Sequence, residues 1–176
     1  MANLRKKAGR AGGVPKLPRS GVVKVDRHIC LTCRECEVGC SLYHEEECNP
    51  ALSRIRIEFN DFVPGFPSLY VCKQCAWPAC YYACADILQE SAILIDRATG
   101  ARFIDEDRCI GCGACLRACP LTPEMQVVYD KIVDGRRVYY KCDLCKDRAE
   151  GPICVEACPA GALTFVPARD KRKRDG

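Results

Sequence analysis

Short patterned runs alternate along the chain with stretches in which the apolar positions are largely thiols. Residues 54–59, Arg-Ile-Arg-Ile-Glu-Phe, repeat with period two and predict a strand with one buried face. Residues 92–95 and 101–104 flank Thr99-Gly100 and predict a hairpin. Residues 125–133 and 136–142 flank Asp134-Gly135, a strong two-residue hairpin signal. Residues 161–166 predict a last strand, and short helices are expected after Cys36, Cys80, Cys115 and Cys154. These elements predict an α+β chain of short helices and small antiparallel hairpins. No apolar run approaches the length of a membrane span.

Composition changes this picture. Apolar residues make up 48% of the 176 residues, but 17 of them are Cys. The ordinary core is thin, so bridges or metal must supply stability. The basic N-terminus has no apolar segment behind it and no adjacent Arg pair, which predicts a cytoplasmic chain. Thiols stay reduced there and are available to metal. The formal charge of +4 is unevenly spread: an N-terminal arm, residues 1–21, carries +6; a body, 22–166, carries −5; a C-terminal tail, 167–176, carries +3. The two basic ends read as solvated termini or as docking arms for an acidic partner subunit. No aromatic-interleaved basic face accompanies them, so nucleic acid is not an expected partner.

Sixteen cysteines fall into four groups. Cys30, Cys33, Cys36 and Cys40 read C-x2-C-x2-C-x3-C, and Cys109, Cys112, Cys115 and Cys119 repeat that spacing before Pro120. Cys72, Cys75, Cys80 and Cys84 read C-x2-C-x4-C-x3-C; Cys142, Cys145, Cys154 and Cys158 read C-x2-C-x8-C-x3-C before Pro159. The first and third groups carry the bacterial ferredoxin run, in which three thiolates in a tight loop wrap one iron–sulfur cubane and the fourth turns toward a neighbouring one. Zinc would suit the paired hooks of the second and fourth groups, but not three crowded thiols. Disulfides would need an oxidising compartment and an even count. The chain also repeats itself: residues 25–40 resemble 105–119, and 69–75 resemble 139–145. The order is A-B-A′-B′, and neither half can build a core alone, so the halves should pack together.

With these motifs the body, residues 22–166, resembles the polyferredoxin electron-transfer subunits of prokaryotic oxidoreductases. That broad family serves dimethyl-sulfoxide-reductase-type enzymes, formate dehydrogenases, hydrogenases and carbon monoxide dehydrogenases. Residues 33–44, CRECEVGCSLYH, and 142–163, with CDLC and CVEACPAGAL, are most similar to the small subunits that accompany tungsten aldehyde oxidoreductases and tungsten benzoyl-CoA reductases. The resemblance implies two ferredoxin-like modules, each with two 4Fe-4S sites, and four clusters with crossed ligation. The first cluster would take Cys30, Cys33, Cys36 and Cys158; the second Cys142, Cys145, Cys154 and Cys40. The third would take Cys72, Cys75, Cys80 and Cys119; the fourth Cys109, Cys112, Cys115 and Cys84. Ser41 and Ala85 stand where a proline often follows the fourth Cys. Each site would carry about −2 when oxidised, making the body strongly acidic. The implied function is relay of electrons between a catalytic subunit carrying a tungsten or molybdenum pterin and a second redox partner, such as a flavin subunit or another copy of the complex. A stand-alone polyferredoxin carrier, or a subunit of a hydrogenase or carbon monoxide dehydrogenase, is the alternative.

The remaining residues suggest no companion catalysis. No Asp/Glu spacing implies acid–base work, and residues 9–13 lack the Lys-Ser or Lys-Thr of a phosphate loop. His28 reads as a surface or supporting residue, His44 as solvated or at an interface, and Glu45-Glu46-Glu47 as a solvated turn. Trp77 and Pro78, in the widened second group, are expected to pack over a cluster, with a partner contact the alternative. Cys48 reads as a free thiol.

Overall fold

The computed structural model describes residues 17–59 and 67–168. The proposed docking segments therefore fall largely outside the described residues, at 1–16 and 169–176. The elements run β1 (Val22–Val25), α1 (Glu35–Glu45), β2 (Ile55–Phe59), β3 (Pro67–Val71), α2 (Ala79–Leu88), β4 (Ile93–Ile95), β5 (Arg102–Ile104), α3 (Ala114–Arg117), β6 (Val128–Val133), β7 (Arg136–Lys141), α4 (Ile153–Glu156) and β8 (Leu163–Val166). They form four two-stranded antiparallel sheets, β1–β8, β2–β3, β4–β5 and β6–β7.

Local turn chemistry accounts for two of the sheets. Asp134 and Gly135 both take positive φ, 51° and 75°, as a hairpin turn of right-handed twist requires, and β6 pairs with β7 from Val133↔Arg136 outward. Asp96 accepts from the backbone N–H and the hydroxyl of Thr99, and folds β4 onto β5. The other two sheets were not fully expected. The predicted strand at 54–59 forms as β2 and finds its partner in β3, Ile55↔Val71, with Ile55, Ile57, Leu69 and Val71 all facing the core. The last strand pairs with β1, Val22↔Val166, which joins the two ends of the described chain.

Helices start one residue before the third Cys of each group rather than after it, so Cys36, Cys80, Cys115 and Cys154 each lie in a first turn. Their packing is nested: α1 contacts α4, and α2 contacts α3. The repeat in sequence is A-B-A′-B′, whereas in space the first group lies with the fourth and the second with the third. Gly39 marks the α1–α4 crossing. A Cβ there would stand 3.3 Å from the Ala157 Cβ and 3.5 Å from Ile153 Cγ1. Gly39→Val is therefore expected to push the helices apart and cost about 1–3 kcal/mol, read as a lower melting temperature of the loaded protein, with Gly39→Ala much milder.

Buried polar groups tie the helices to the sheets. Glu37, 2% exposed, accepts the Ile57 N–H at 2.7 Å and faces Arg34 at 3.4 Å. Contrary to the expected solvated turn, Glu45 is half-buried in an ion-pair network: Lys131 Nζ lies 2.6 Å from Glu45 and 3.0 Å from Glu106, and Arg54 lies 3.6 Å from Glu45 and 3.1 Å from Asp143. Glu46 and Glu47 are exposed as expected. The arm's last residues pack as well. Pro18 O accepts from Arg102 Nη2 at 2.6 Å, and Gly100 fits against Arg19, whose carbonyl oxygen a Cβ would meet at 2.2 Å. Among the described residues no helix is long and apolar enough to cross a membrane.

Candidate metal centre

All four C-x2-C hooks share one backbone device. The second residue between the paired cysteines takes positive φ in every group: Thr32 at 56°, Gln74 at 49°, Gly111 at 70° and Leu144 at 63°. In groups one and three the residue after the second Cys does so too, Arg34 at 63° and Gly113 at 70°. For branched or bulky side chains this conformation is strained by about 1–3 kcal/mol each. It turns successive N–H groups toward one centre, which is how backbone nests hold anions. Further N–H groups reach the sulfurs from outside the hooks. Arg54 N donates to Cys40 Sγ at 3.3 Å, Ala92 N to Cys84 Sγ at 3.3 Å and Tyr139 N to Cys109 Sγ at 3.4 Å.

The sulfurs gather across the groups. The charges felt at Cys36 come from Glu37 and then from Cys158, Cys30 and Cys33. Cys145 and Cys154 both feel Cys40. Cys75 and Cys80 both feel Cys72 and Cys119. Cys115 feels Cys109, Cys80 and Cys84. Two weaker links join these sets, Cys36 to Cys154 and Cys72 to Cys142. Cys80 in turn neighbours Cys115, which links the second group to the third.

The donor set fits iron–sulfur clusters. No cysteine is in a disulfide, and nine of them are buried. Burial pushes the Cys36, Cys115 and Cys145 thiols up to about 12 and Cys80 up to about 11, and Cys142 and Cys154 well above the usual thiol range. A centre bound as thiolate displaces those protons, so loading releases protons and is favoured as pH rises. Buried thiolates also need positive neighbours. The inward N–H groups supply some, and Lys141 Nζ, 3.7 Å from Cys72 Sγ, supplies more.

Other expected residues sit differently. The His44 side chain is 8% exposed, not solvated, with Nε2 at 3.6 Å from Cys145 Sγ and 3.4 Å from Asp143 Oδ1. Burial lowers its pKa to about 4, so it meets Asp143 as a neutral ring and not as an ion pair. His44, Asp143 and Cys145 bring three ligand atoms within 4.8 Å of one another. Trp77 is 65% exposed and tilts against Tyr82 rather than covering the cysteines. Ser41, in place of the usual proline, is fully buried; its hydroxyl donates to Val38 O and accepts from Asn49 N. His28 and Cys48 are exposed. No local pattern marks Lys141, Arg102 or Gln74 as buried polar residues beside the second group.

The family described as a 4Fe-4S dicluster domain matches residues 65–168. The polyferredoxin-like subunit of an aliphatic sulfonate oxidoreductase from Pyrococcus furiosus is 39% identical over 129 residues, covering 73% of this chain and 66% of that subunit. The electron transport protein HydN of Escherichia coli K12 is 32% identical over 155 residues, covering 80% of this chain and 85% of that protein. Among solved structures, the active-site complex of benzoyl-coenzyme A reductase with zinc aligns at a TM-score of 0.44 and 24% identity, over 88% of this chain and 82% of that one; a likeness this loose carries no functional weight.

Proposed function

Because the chain belongs to the 4Fe-4S dicluster family, we propose that it is a non-catalytic electron-transfer subunit of an oxidoreductase complex, holding four 4Fe-4S clusters in two ferredoxin-like modules. What supports this reading is that thiols neighbour one another across the groups, with Cys84, Cys109, Cys112 and Cys115 lining one cavity and Cys72, Cys75, Cys80 and Cys119 another; the four sites would then follow one another in a row. Cys30, Cys33, Cys36 and Cys158 hold the first cluster; Cys142, Cys145, Cys154 and Cys40 the second. Cys72, Cys75, Cys80 and Cys119 hold the third; Cys109, Cys112, Cys115 and Cys84 the fourth. The mutual proximity of Cys36 with Cys158, of Cys145 and Cys154 with Cys40, and of Cys80 with Cys119 supports the crossed pattern. The nested packing of α1 on α4 and α2 on α3 supports the pairing of modules.

A bound cluster supplies reversible one-electron storage, with the potential set by its surroundings. The chain's own residues do the rest. Positive-φ hooks aim N–H groups inward, the ion-pair network of Glu45, Lys131, Arg54 and Asp143 locks α1 to the loop of the fourth group, and the short helices fix ligand direction. Exposed Cys33 and Leu31 at one end of the row, and Ile110 at the other, leave both ends within reach of partners. The proposed partner is a large catalytic oxidoreductase subunit, with the tungsten or molybdenum pterin that the resemblance implies, and a flavin subunit or a second complex at the far end; the sulfonate oxidoreductase relative is itself a subunit of such a complex.

Affinity purification of the tagged chain from its host under anaerobic conditions tests the assignment. A large redox subunit is expected to co-elute in fixed ratio; a fully loaded monomer without partner would make the chain a free carrier instead. The basic arm is proposed to dock that subunit. Removing residues 1–16, which spares the Pro18–Arg102 contact, is expected to weaken assembly and its salt dependence while leaving iron unchanged. Unaltered assembly would end the docking-arm idea.

A further inference from the structure

Beside the second cysteine group the chain buries two cations and no acid. Lys141 is 2% exposed and Arg102 1%. Lys141 Nζ donates to Arg102 O, to Cys142 O at 3.2 Å and toward Cys72 Sγ at 3.7 Å. Three acceptors around one nitrogen use all three N–H bonds of an ammonium. Arg102 donates to Gly100 O at 2.8 Å and to Pro18 O at 2.6 Å, and its Nε has no partner. Among the described residues no carboxylate lies within ion-pair distance of either side chain. Other largely buried cations do meet acids, as Arg54 meets Asp143 and Lys131 meets Glu45. A buried ammonium without a counter-charge is strongly unfavourable. The groups that face Lys141 and Arg102 are thiols, which would carry negative charge only as cluster ligands: Cys72 and Cys80 for Lys141, and Cys72, Cys75 and Cys80, with Tyr82 beyond them, for Arg102.

The other ligand sets have different neighbours. Glu37, 2% exposed, follows Cys36 directly, and its cation, Arg34 at 3.4 Å, is exposed rather than buried. Asp143 lies between Cys142 and Cys145 and accepts the Cys145 N–H at 3.0 Å, its charge offset by Arg54. At the Cys109 set, Arg117 donates to Cys112 O at 3.1 Å and Arg136 to Cys109 O at 3.3 Å, but both arginines are exposed and solvent screens them.

We propose that Lys141 is a potential-setting residue, its buried ammonium giving the cluster held by Cys72, Cys75, Cys80 and Cys119 the highest reduction potential of the four. The inference rests on the ligand sets proposed above. Reduction adds one electron, from an external one-electron donor, to an already anionic site; no bond breaks and no proton moves. A cation held close by in a low-dielectric interior stabilises the more negative form most. Lys141 also stands at the junction of the second and third sets, touching Cys72 Sγ on one side and Cys142 O on the other. The high-potential site therefore lies in the interior of the row and not at an end.

An EPR-monitored redox titration of the full chain, with iron counted in each sample, tests this. In the wild type one signal should develop at a potential above the other three, and Cys75→Ser should alter or abolish that signal and leave the rest. Lys141→Gln, which can still donate to the two carbonyls, should shift that one midpoint downward with iron content unchanged; Lys141→Arg, which keeps the charge, should restore it toward the wild-type value. A purely structural lysine would give the opposite ranking, with Gln harmless to the potential. Unshifted midpoints in a fully loaded Lys141→Gln chain overturn the proposal and leave the ligand sets standing. If Lys141→Gln loses iron, the Cys75→Ser titration decides alone: a highest-potential signal that survives it unaltered overturns the proposal. A wild-type chain with far fewer than about sixteen iron would instead bring down the ligand assignment itself.

Discussion

Removing iron from the folded chain, by a chelator with mild oxidation under reducing-thiol control, is expected to unfold it. Nine of the buried apolar residues are cysteines, and eight of them belong to the core cluster with Val23, Ile55, Val71, Ile93 and Val138. All four sheets have two strands, of three to six residues each, and α3 and α4 have four residues. Two-stranded sheets and single-turn helices are marginal in water on their own. Around each hook the backbone is also held in a left-handed conformation that Thr32, Gln74 and Leu144 would not choose unaided. Metal binding then supplies folding free energy directly, of the same order as the whole stability of a typical domain, about 5–15 kcal/mol. Far-UV circular dichroism and a melting curve should lose their cooperative transition as iron leaves. Native secondary structure and an intact melt in iron-free protein would show that packing alone holds the fold.

What the sequence disclosed follows from where each signal resides. The hairpin at Asp134-Gly135 and the one around Thr99-Gly100 are written in adjacent residues, and both form. The cysteine groups are likewise local patterns. The β1–β8 pairing joins residues about 140 apart in sequence, and nothing in Val22–Val25 alone names Leu163–Val166 as its partner. His44 and Glu45 read as polar surface because their neighbours in sequence are polar. They are half-buried because the C-terminal end of α1 runs into Asp143, Arg54 and Lys131, which come from three distant segments. Lys141 escaped notice for a related reason. It ends a strand whose last four residues are all buried, at a point where the second cysteine group packs against the β7 edge, so the usual inside–outside alternation fails there.

That non-local packing bears most on Cys40. Within its own group it continues the helix from Cys36, and a reading confined to residues 30–40 would give all four thiols to one cluster. Cys40 is 5% exposed, accepts the Arg54 N–H at 3.3 Å, and figures among the charges felt at Cys145 and Cys154, whereas Cys36 is grouped with Cys158. Cys40→Ala is therefore expected to remove the cluster of Cys142, Cys145 and Cys154, about four of roughly sixteen iron per chain. Iron counts in paired variants locate the loss. Adding Cys145→Ala should remove little more, because both changes strike one site; adding Cys33→Ala should remove about four further iron, because it strikes another. The reverse pattern, additive loss with Cys145→Ala and none with Cys33→Ala, would return Cys40 to the first group and dissolve the crossed ligation. With it would go the reason for α1 to pack on α4, since that crossing at Gly39 is what carries Cys40 to the far group and Cys158 back to the near one.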